Sequence, residues 1–212
     1  MSQRAWLLCV LLSSACASAA PVPTQRPAAV AAPTLLAPSA LSYDFQWRQR
    51  VSARWPTGTH TFEAVLQKRA GELILVGLSP LGLPGFVFRL SESGELHVDN
   101  RTGQPLPFEP AYVVADVQRV FFPWLGPTVP GFSGDRSGER AGTQVVERYL
   151  AGQLHERQFT RATAAGSERV EVRYFGAEHP GPSPQDAPDR AELKNLLLGY
   201  ELVIETVEQS RL

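Results

Sequence analysis

A chain of 212 residues is long enough for one substantial domain and too short to require two. Hydrophobic residues make up 43% and charged residues 19%, a composition that buries a core and excludes disorder over most of the length. Lys and Arg number 20 against 21 Asp and Glu, a balance that excludes a nucleic-acid binder working by counterion release.

The N-terminus reads as an export signal. Arg4 precedes the apolar run Ala5-Trp6-Leu7-Leu8-Cys9-Val10-Leu11-Leu12, and small residues follow to Ala19. The run falls well short of the ~20 residues that a membrane-spanning helix needs. Two cleavage sites fit. Leu12-Ser13-Ser14-Ala15-Cys16 resembles a bacterial lipobox, with Ser13 departing from the usual Leu, and would make Cys16 the lipidated first residue. Cutting after Ala17-Ser18-Ala19 would instead release a soluble chain. The first reading divides the chain into a signal (1–16), a tether (17–40) and a folded domain (41–212). Cys9 and Cys16 are the only cysteines, so the domain stands without disulfides or thiolate metal sites.

Residues 17–40 hold nine Ala and five Pro with almost no charge, the composition of an extended spacer. Tyr43, Phe45 and Trp47 then alternate with polar residues, the pattern of a half-buried strand. Strands are predicted next around Phe62-Leu66, Leu73-Leu78, Phe86-Leu90 and Leu96-Val98, with turns at Pro56-Thr57-Gly58, Ala70-Gly71, residues 79–85 and Ser93-Gly94. This is an antiparallel meander of five strands. Pro110 can open a helix in its first turn; Val113, Val117, Val120, Phe121 and Trp124 follow helical spacing, and Pro123 limits it. Within that helix Asp116 and Gln118 are expected to face solvent or to satisfy loop backbone.

Residues 127–142 read as loop. Residues 144–161 read as a hairpin turning at Ala151-Gly152, 170–175 as a strand and 179–188 as a loop. A short helical turn is expected near 189–195 and one closing strand over 196–207. The total is about nine strands and one clear helix.

The four histidines, His60, His97, His155 and His179, lie far apart in sequence, and no phosphate loop or nucleophile elbow occurs. No cofactor or metal is expected. The sheet instead carries an excess of large apolar side chains. They fill either a packed sandwich or barrel, or the walls of an apolar hollow for acyl chains. In the second reading the hollow is lined by Phe62, Leu66, Leu75, Phe86, Phe88, Val117, Phe121, Tyr200 and Leu202.

The run Leu73-Ile74-Leu75-Val76-Gly77-Leu78-Ser79-Pro80-Leu81-Gly82, continuing through Phe88-Arg89-Leu90 to Val98-Asp99-Asn100-Arg101-Thr102-Gly103-Gln104, resembles the LolB family of outer-membrane lipoprotein receptors. A fuller similarity, over about residues 60–207, is to a lipoprotein family of unknown function often encoded in aryl-polyene biosynthesis clusters. It is carried by Leu78-Ser79-Pro80-Leu81-Gly82, by Ala115-Asp116-Val117-Gln118 with Phe122-Pro123, and by Leu198-Gly199-Tyr200-Glu201-Leu202. The resemblance implies a mainly β protein, a half-open antiparallel barrel with one or two covering helices. It also implies a membrane-contact loop at Leu81 and Leu83. The segment 108–124 differs from its LolB counterpart, so lipoprotein transfer does not follow from it.

The expectation is an exported, lipid-anchored monomer at the periplasmic face of the outer membrane. It would bind or transfer acylated ligands (lipids, lipoproteins or polyene lipids) without covalent chemistry and without nucleic acid. A scaffolding lipoprotein with a packed barrel, or an enzyme of polyene or lipid assembly, are the alternatives.

Overall fold

The computed structural model describes residues 32–176 and 186–212. The export signal, Cys16, most of the spacer and the greater part of the proline-rich segment 179–188 lie outside the described residues. The first meander is as expected: β1 (Phe45–Trp55), β2 (Gly58–Arg69), β3 (Glu72–Leu78), β4 (Pro84–Leu90) and β5 (Leu96–Asn100). Helix α1 (Pro110–Phe121) follows. The second meander comprises β6 (Gly134–Arg140), β7 (Thr143–Leu150), β8 (Gln153–Thr163), β9 (Gly166–Phe175), β10 (Arg190–Asn195) and β11 (Tyr200–Arg211). Every pairing is antiparallel, and β1 joins β11 to fuse both meanders into one 11-stranded sheet ordered β5-β4-β3-β2-β1-β11-β10-β9-β8-β7-β6. The sheet is not closed; β5 and β6 are its edges.

Alternation decides which face is inward. Phe45, Trp47 and Gln49 of β1 are buried while Gln46, Arg48 and Arg50 are exposed, and β9 buries Glu168, Val170, Val172 and Tyr174 in the same way. Helix α1 lies across that inner face and touches both meanders. The Phe121 ring stands 5.3 Å from Trp47 of β1, and Trp124, just past the helix, packs edge-on against Phe159 of β8 at 4.9 Å. The core is the space between helix and sheet.

Several expectations are corrected. The stretch 127–142 is not all loop, because Gly134–Arg140 pairs with β7 from Gly134↔Tyr149 to Arg140↔Thr143. Residues 189–195 form no helical turn; β10 occupies them, held between β9 and β11. The closing strand expected over 196–207 begins only at Tyr200, because Leu196–Gly199 form the turn between β10 and β11, and the described residues hold eleven strands rather than nine. The end of the spacer also belongs to the folded body. Pro33, Leu36 and Pro38 are buried, and Pro38–Ala40 forms a 3-10 turn. This strap crosses the helix: Leu36 N–H donates to Gln118 Oε1 at 2.8 Å, and Gln118 Nε2 donates back to the Leu36 carbonyl at 2.7 Å. With the sheet on one side and the strap on the other, α1 is buried continuously from Val114 to Phe121. Gln118 therefore satisfies loop backbone, as expected, and Asp116 does not face solvent.

Candidate ligand-binding face and its polar clamp

The inner face differs between its two halves. Across β1 to β4 it is aromatic and aliphatic: Phe45, Trp47, Leu66, Leu73, Leu75, Phe86, Phe88 and Leu90 are all buried. Phe86 and Phe88 stack at 4.7 Å, Phe108 from the approach to α1 meets both edge-on at 5.7 and 6.4 Å, and Phe62 meets Phe86 at 6.1 Å. Beside this cluster two small residues face each other, Ala64 of β2 and Gly77 of β3, and Gln49 of β1 opposes Ala64 on the other side. Gly77 is required there, since a Cβ would collide with the Phe86 ring. Gln49 is buried, and its Nε2 has no hydrogen-bond partner among the described residues. An orphaned donor in an apolar wall is costly, about 1–3 kcal/mol, and is therefore uncommon in a finished core.

The loop joining β3 to β4 continues this wall outward. Ser79 N–H donates to the Leu83 carbonyl at 2.8 Å and Gly82 N–H to the Ser79 carbonyl at 2.8 Å. Gly82 has φ 74, so the loop is a turn closed by a left-handed glycine. Its geometry pushes Leu81 and Leu83 outward; they are 85% and 63% exposed.

Of the residues predicted to line a hollow, Leu66, Leu75, Phe86, Phe88, Val117 and Phe121 are buried and Phe62 is half-buried. Phe62, Phe86 and Phe88 are brought together in one ring cluster. Leu202, half-buried, lies on β11 between Leu193 and Ala53. Tyr200 belongs to a different group, since its hydroxyl donates to the Asp116 carboxylate.

That group was not foreseen. Arg119 Nη1 donates to Asp116 Oδ1 at 2.8 Å and its Nη2 to Glu168 Oε1 at 3.0 Å. Glu168 also accepts from Asn195 Nδ2 at 3.1 Å and from Arg161 Nε at 2.9 Å. A second group adjoins it. Glu147 accepts from Arg157 Nε and from the Tyr149 hydroxyl, both at 2.8 Å, while Arg157 Nη1 donates to the carbonyls of Arg119 and Val120 at 3.1 and 3.2 Å. Tyr174 donates to the Val120 carbonyl at 2.8 Å and Trp124 Nε1 to that of Gln118 at 2.8 Å. The last carbonyls of α1, orphans in any helix, are thus capped by side chains from β8 and β9 and by Trp124 just past the helix, with the Arg157 cation at the negative end of the helix dipole.

Burial pushes the Asp116 carboxyl up, opposed by Arg119 and by the Tyr200 hydrogen bond. Burial likewise pushes the Tyr174 and Tyr200 hydroxyls upward, Tyr200 further because of the Asp116 charge beside it. Every carboxylate here is spoken for by an arginine or a hydroxyl, which suits a clamp fixing α1 to β7–β11 rather than proton transfer. Among the described residues no three His, Cys, Asp or Glu side chains gather as metal ligands. One sequence signal was readable in advance: Glu147 and Glu168 sit at inward positions in the same register as Val145 and Val170.

The family model described as "Protein of unknown function (DUF3261)" matches residues 46–208. No curated protein matches. Among solved structures, the chain is similar to a LolA superfamily protein from Nitrosomonas europaea, at 12% identity and a TM-score of 0.48 over 84% of this chain and 94% of that one. It is also similar to a putative outer membrane lipoprotein-sorting protein domain from Vibrio parahaemolyticus, at 10% identity and 0.48 over 80% and 85%. A DUF1329 family protein from Desulfovibrio piger aligns at 10% identity and 0.32 over 82% and 88%.

Proposed function

The chain belongs to the DUF3261 family, and we propose that it is an exported binding or transfer protein for acylated hydrophobic ligands, held at the periplasmic face of the outer membrane by a lipid on Cys16. The observation that carries this reading is continuity. The rings of Phe62, Phe86 and Phe88 pack together on the inner face, with Phe86 lying over Gly77, and β3 and β4 lead directly from them to the exposed Leu81 and Leu83, so apolar side chains follow one another from the inner face to the tip of the β3–β4 loop. Such a track suits an acyl chain, and the orphaned Gln49 amide suits the ester or amide carbonyl at its head. Lipids, lipoproteins and polyene lipids all present that chemistry. No covalent step is required of the protein.

Solvent extraction of the purified protein is the test: acyl lipid should co-purify in stoichiometric amount. A protein that yields none, and takes up none from vesicles, is a scaffold with a packed core. The anchor is tested separately. Cys16→Ser should move the protein from the membrane to the soluble periplasmic fraction, since each acyl CH2 contributes about 0.8 kcal/mol of membrane affinity; a mature chain beginning at Ala20 by mass spectrometry removes the anchor from the proposal.

A further inference from the structure

β5 and β6 end the sheet, and the two edges are built differently. In β6, Arg136 and Arg140 oppose the buried Glu147 and Thr143 and so point inward, where they donate to the Gly126 and Pro123 carbonyls. Inward charges of this kind keep an edge strand from pairing with another chain. β5 lacks that guard. Its register against β4 runs without a bulge, and its inward side chains are Leu96, Val98 and Asn100, none of them charged. Val98, opposite Phe88, is 39% exposed.

The ladder fixes which backbone groups of β5 face away from the sheet. Ser91 N–H donates to the Glu95 carbonyl at 3.0 Å and Arg101 N–H to the Gly85 carbonyl at 2.8 Å. Between these bonds Arg89 opposes His97 and Val87 opposes Asp99, so residues 95, 97, 99 and 101 spend their backbone groups on β4. Leu96, Val98 and Asn100 turn theirs outward, and among the described residues no strand lies beyond them. Side chains alternate in step. Glu95, His97, Asp99 and Arg101 fall on the outer face, an acid, an imidazole, an acid and a guanidinium in turn.

A second β5, antiparallel and related by a two-fold axis, is the strand that this pattern fits. With the axis at Val98, Val98 faces its own copy and Leu96 faces Asn100, so all three outward residues exchange both of their hydrogen bonds. On the outer face Glu95 then stands opposite Arg101 of the second copy, and His97 opposite its Asp99. Sliding one strand by two residues sets Glu95 against Asp99 in one direction and Asp99 against itself in the other. Like charges directly opposed are destabilising, and the Val98 register has none. There Glu95 and the second copy's Asp99 are only diagonal neighbours, about 7–8 Å apart against about 4.5–5.5 Å for a direct pair. Arg101 already holds Asp99 of its own chain, through Nε at 2.8 Å and Nη2 at 2.7 Å, which leaves Nη1 for Glu95.

We infer that β5 pairs edge to edge with β5 of a second copy of this chain, a two-fold dimer in place of the monomer expected from sequence. The two sheets then run on as one. Directly opposed residues of an antiparallel pair share a face, so both inner faces stay on the same side. The Phe86 and Phe88 rings of each copy, one strand from the axis, become parts of one continuous apolar floor. The pairing stands on the edge alone and is independent of the acyl-ligand reading.

The test is cross-linking by a short bis-maleimide in intact cells that export the full chain carrying Val98→Cys. Both cleavage readings leave the mature chain without a competing free thiol. A covalent dimer is expected, in several-fold higher yield than from Ser137→Cys, an exposed position on the other edge. In the Val98→Cys background, Glu95→Arg and Arg101→Glu should each lose the dimer, since each sets like charges opposite one another. Co-expressed with tags of different length, these two variants should regain it as a mixed dimer, because two arginines of one copy then meet two glutamates of the other. That recovery also shows that both variants fold. Equal yields at 98 and 137 mean random collision and overturn the proposal. So does the absence of a product at 98, and so do charge variants that link as well as the parent or a loss that co-expression does not repair. A product joining residue 98 to a different polypeptide gives the edge to another protein and overturns the second copy.

Discussion

Arg119 stands between two buried carboxylates, Asp116 at 2.8 Å and Glu168 at 3.0 Å, and the three share one desolvated space. Removing the cation is far more damaging than removing the set. Arg119→Met leaves Asp116 with only the Tyr200 hydroxyl, so a loss of about 3–5 kcal/mol is expected in urea denaturation. The double variant Asp116→Asn, Arg119→Met should recover part of it, while Glu168 keeps Arg161. Additive losses would show that the three do not act together. The tyrosines set a second expectation. Tyr174 and Tyr200 hold their protons above the ordinary tyrosine value in the folded state, chiefly through burial. Below pH 10 both states are protonated and the tyrosines contribute no pH dependence. Above it the unfolded chain ionises first, so stability falls by about 1.4 kcal/mol per pH unit for each tyrosine until the folded value is reached. Denaturant midpoints measured at rising pH, alongside tyrosinate absorbance, should show that slope, and Tyr174→Phe should flatten it by one tyrosine's share. None of this clamp was read from sequence, because Asp116 on an apolar helix was given the commoner, solvated role. The strap that covers the helix was hidden inside a spacer-like composition.

At the scale of elements, what was legible followed from periodicity and what was not lacked it. β1 to β5 and α1 announce themselves through alternating or helical apolar spacing, and their turns through Pro and Gly. β6 reads Gly-Asp-Arg-Ser-Gly-Glu-Arg, with no apolar residue, and is a strand only because β7 offers its edge. Its closing turn, Ala141-Gly142, has both residues at positive φ (51 and 71), like Ala70-Gly71 and Ala151-Gly152. That repeated Ala-Gly pair was a hairpin signal present at three places and recognised at two. β10 was missed for a similar reason: Arg190-Ala-Glu-Leu-Lys-Asn suits a helix by propensity, and the sheet on either side overrides it. The strap yields its own expectation. Gln118→Ala removes both partners of the Leu36 backbone and leaves a buried N–H and C=O unsatisfied, at about 1–3 kcal/mol. Amide exchange at Leu36 should accelerate well before that of the β1 core. Exchange at Leu36 no faster than in the parent would mean that packing of Leu36 and Pro38, not Gln118, holds the strap.

For the molecule as a whole, one open sheet carries on its inner face the one α-helix of the described residues, tied to β8, β9 and β11 by an ion pair and hydrogen bonds and meeting β1 through the Phe121 and Trp47 rings. The mainly β, antiparallel architecture was legible because a period of two leaves one face to bury; the asymmetry between the halves was not, since it depends on which inward positions meet α1. The proposed function puts the ligand on the apolar half, and Ala64 is the position that tests it. Its side chain is buried on the inner face, between Gln49 and Gly77, beside the Phe86 ring. If Ala64 and Gly77 are the floor of an acyl site, Ala64→Phe fills space that the ligand otherwise takes: the thermal melt of lipid-free protein should stay near that of the parent, and the lipid recovered on extraction should fall. If they are part of a finished core, the added ring has nowhere to go, and overpacking should cost about 1–3 kcal/mol with lipid recovery unchanged. A large stability loss in Ala64→Phe, together with a parent protein free of lipid, defeats the binding reading and leaves the scaffold.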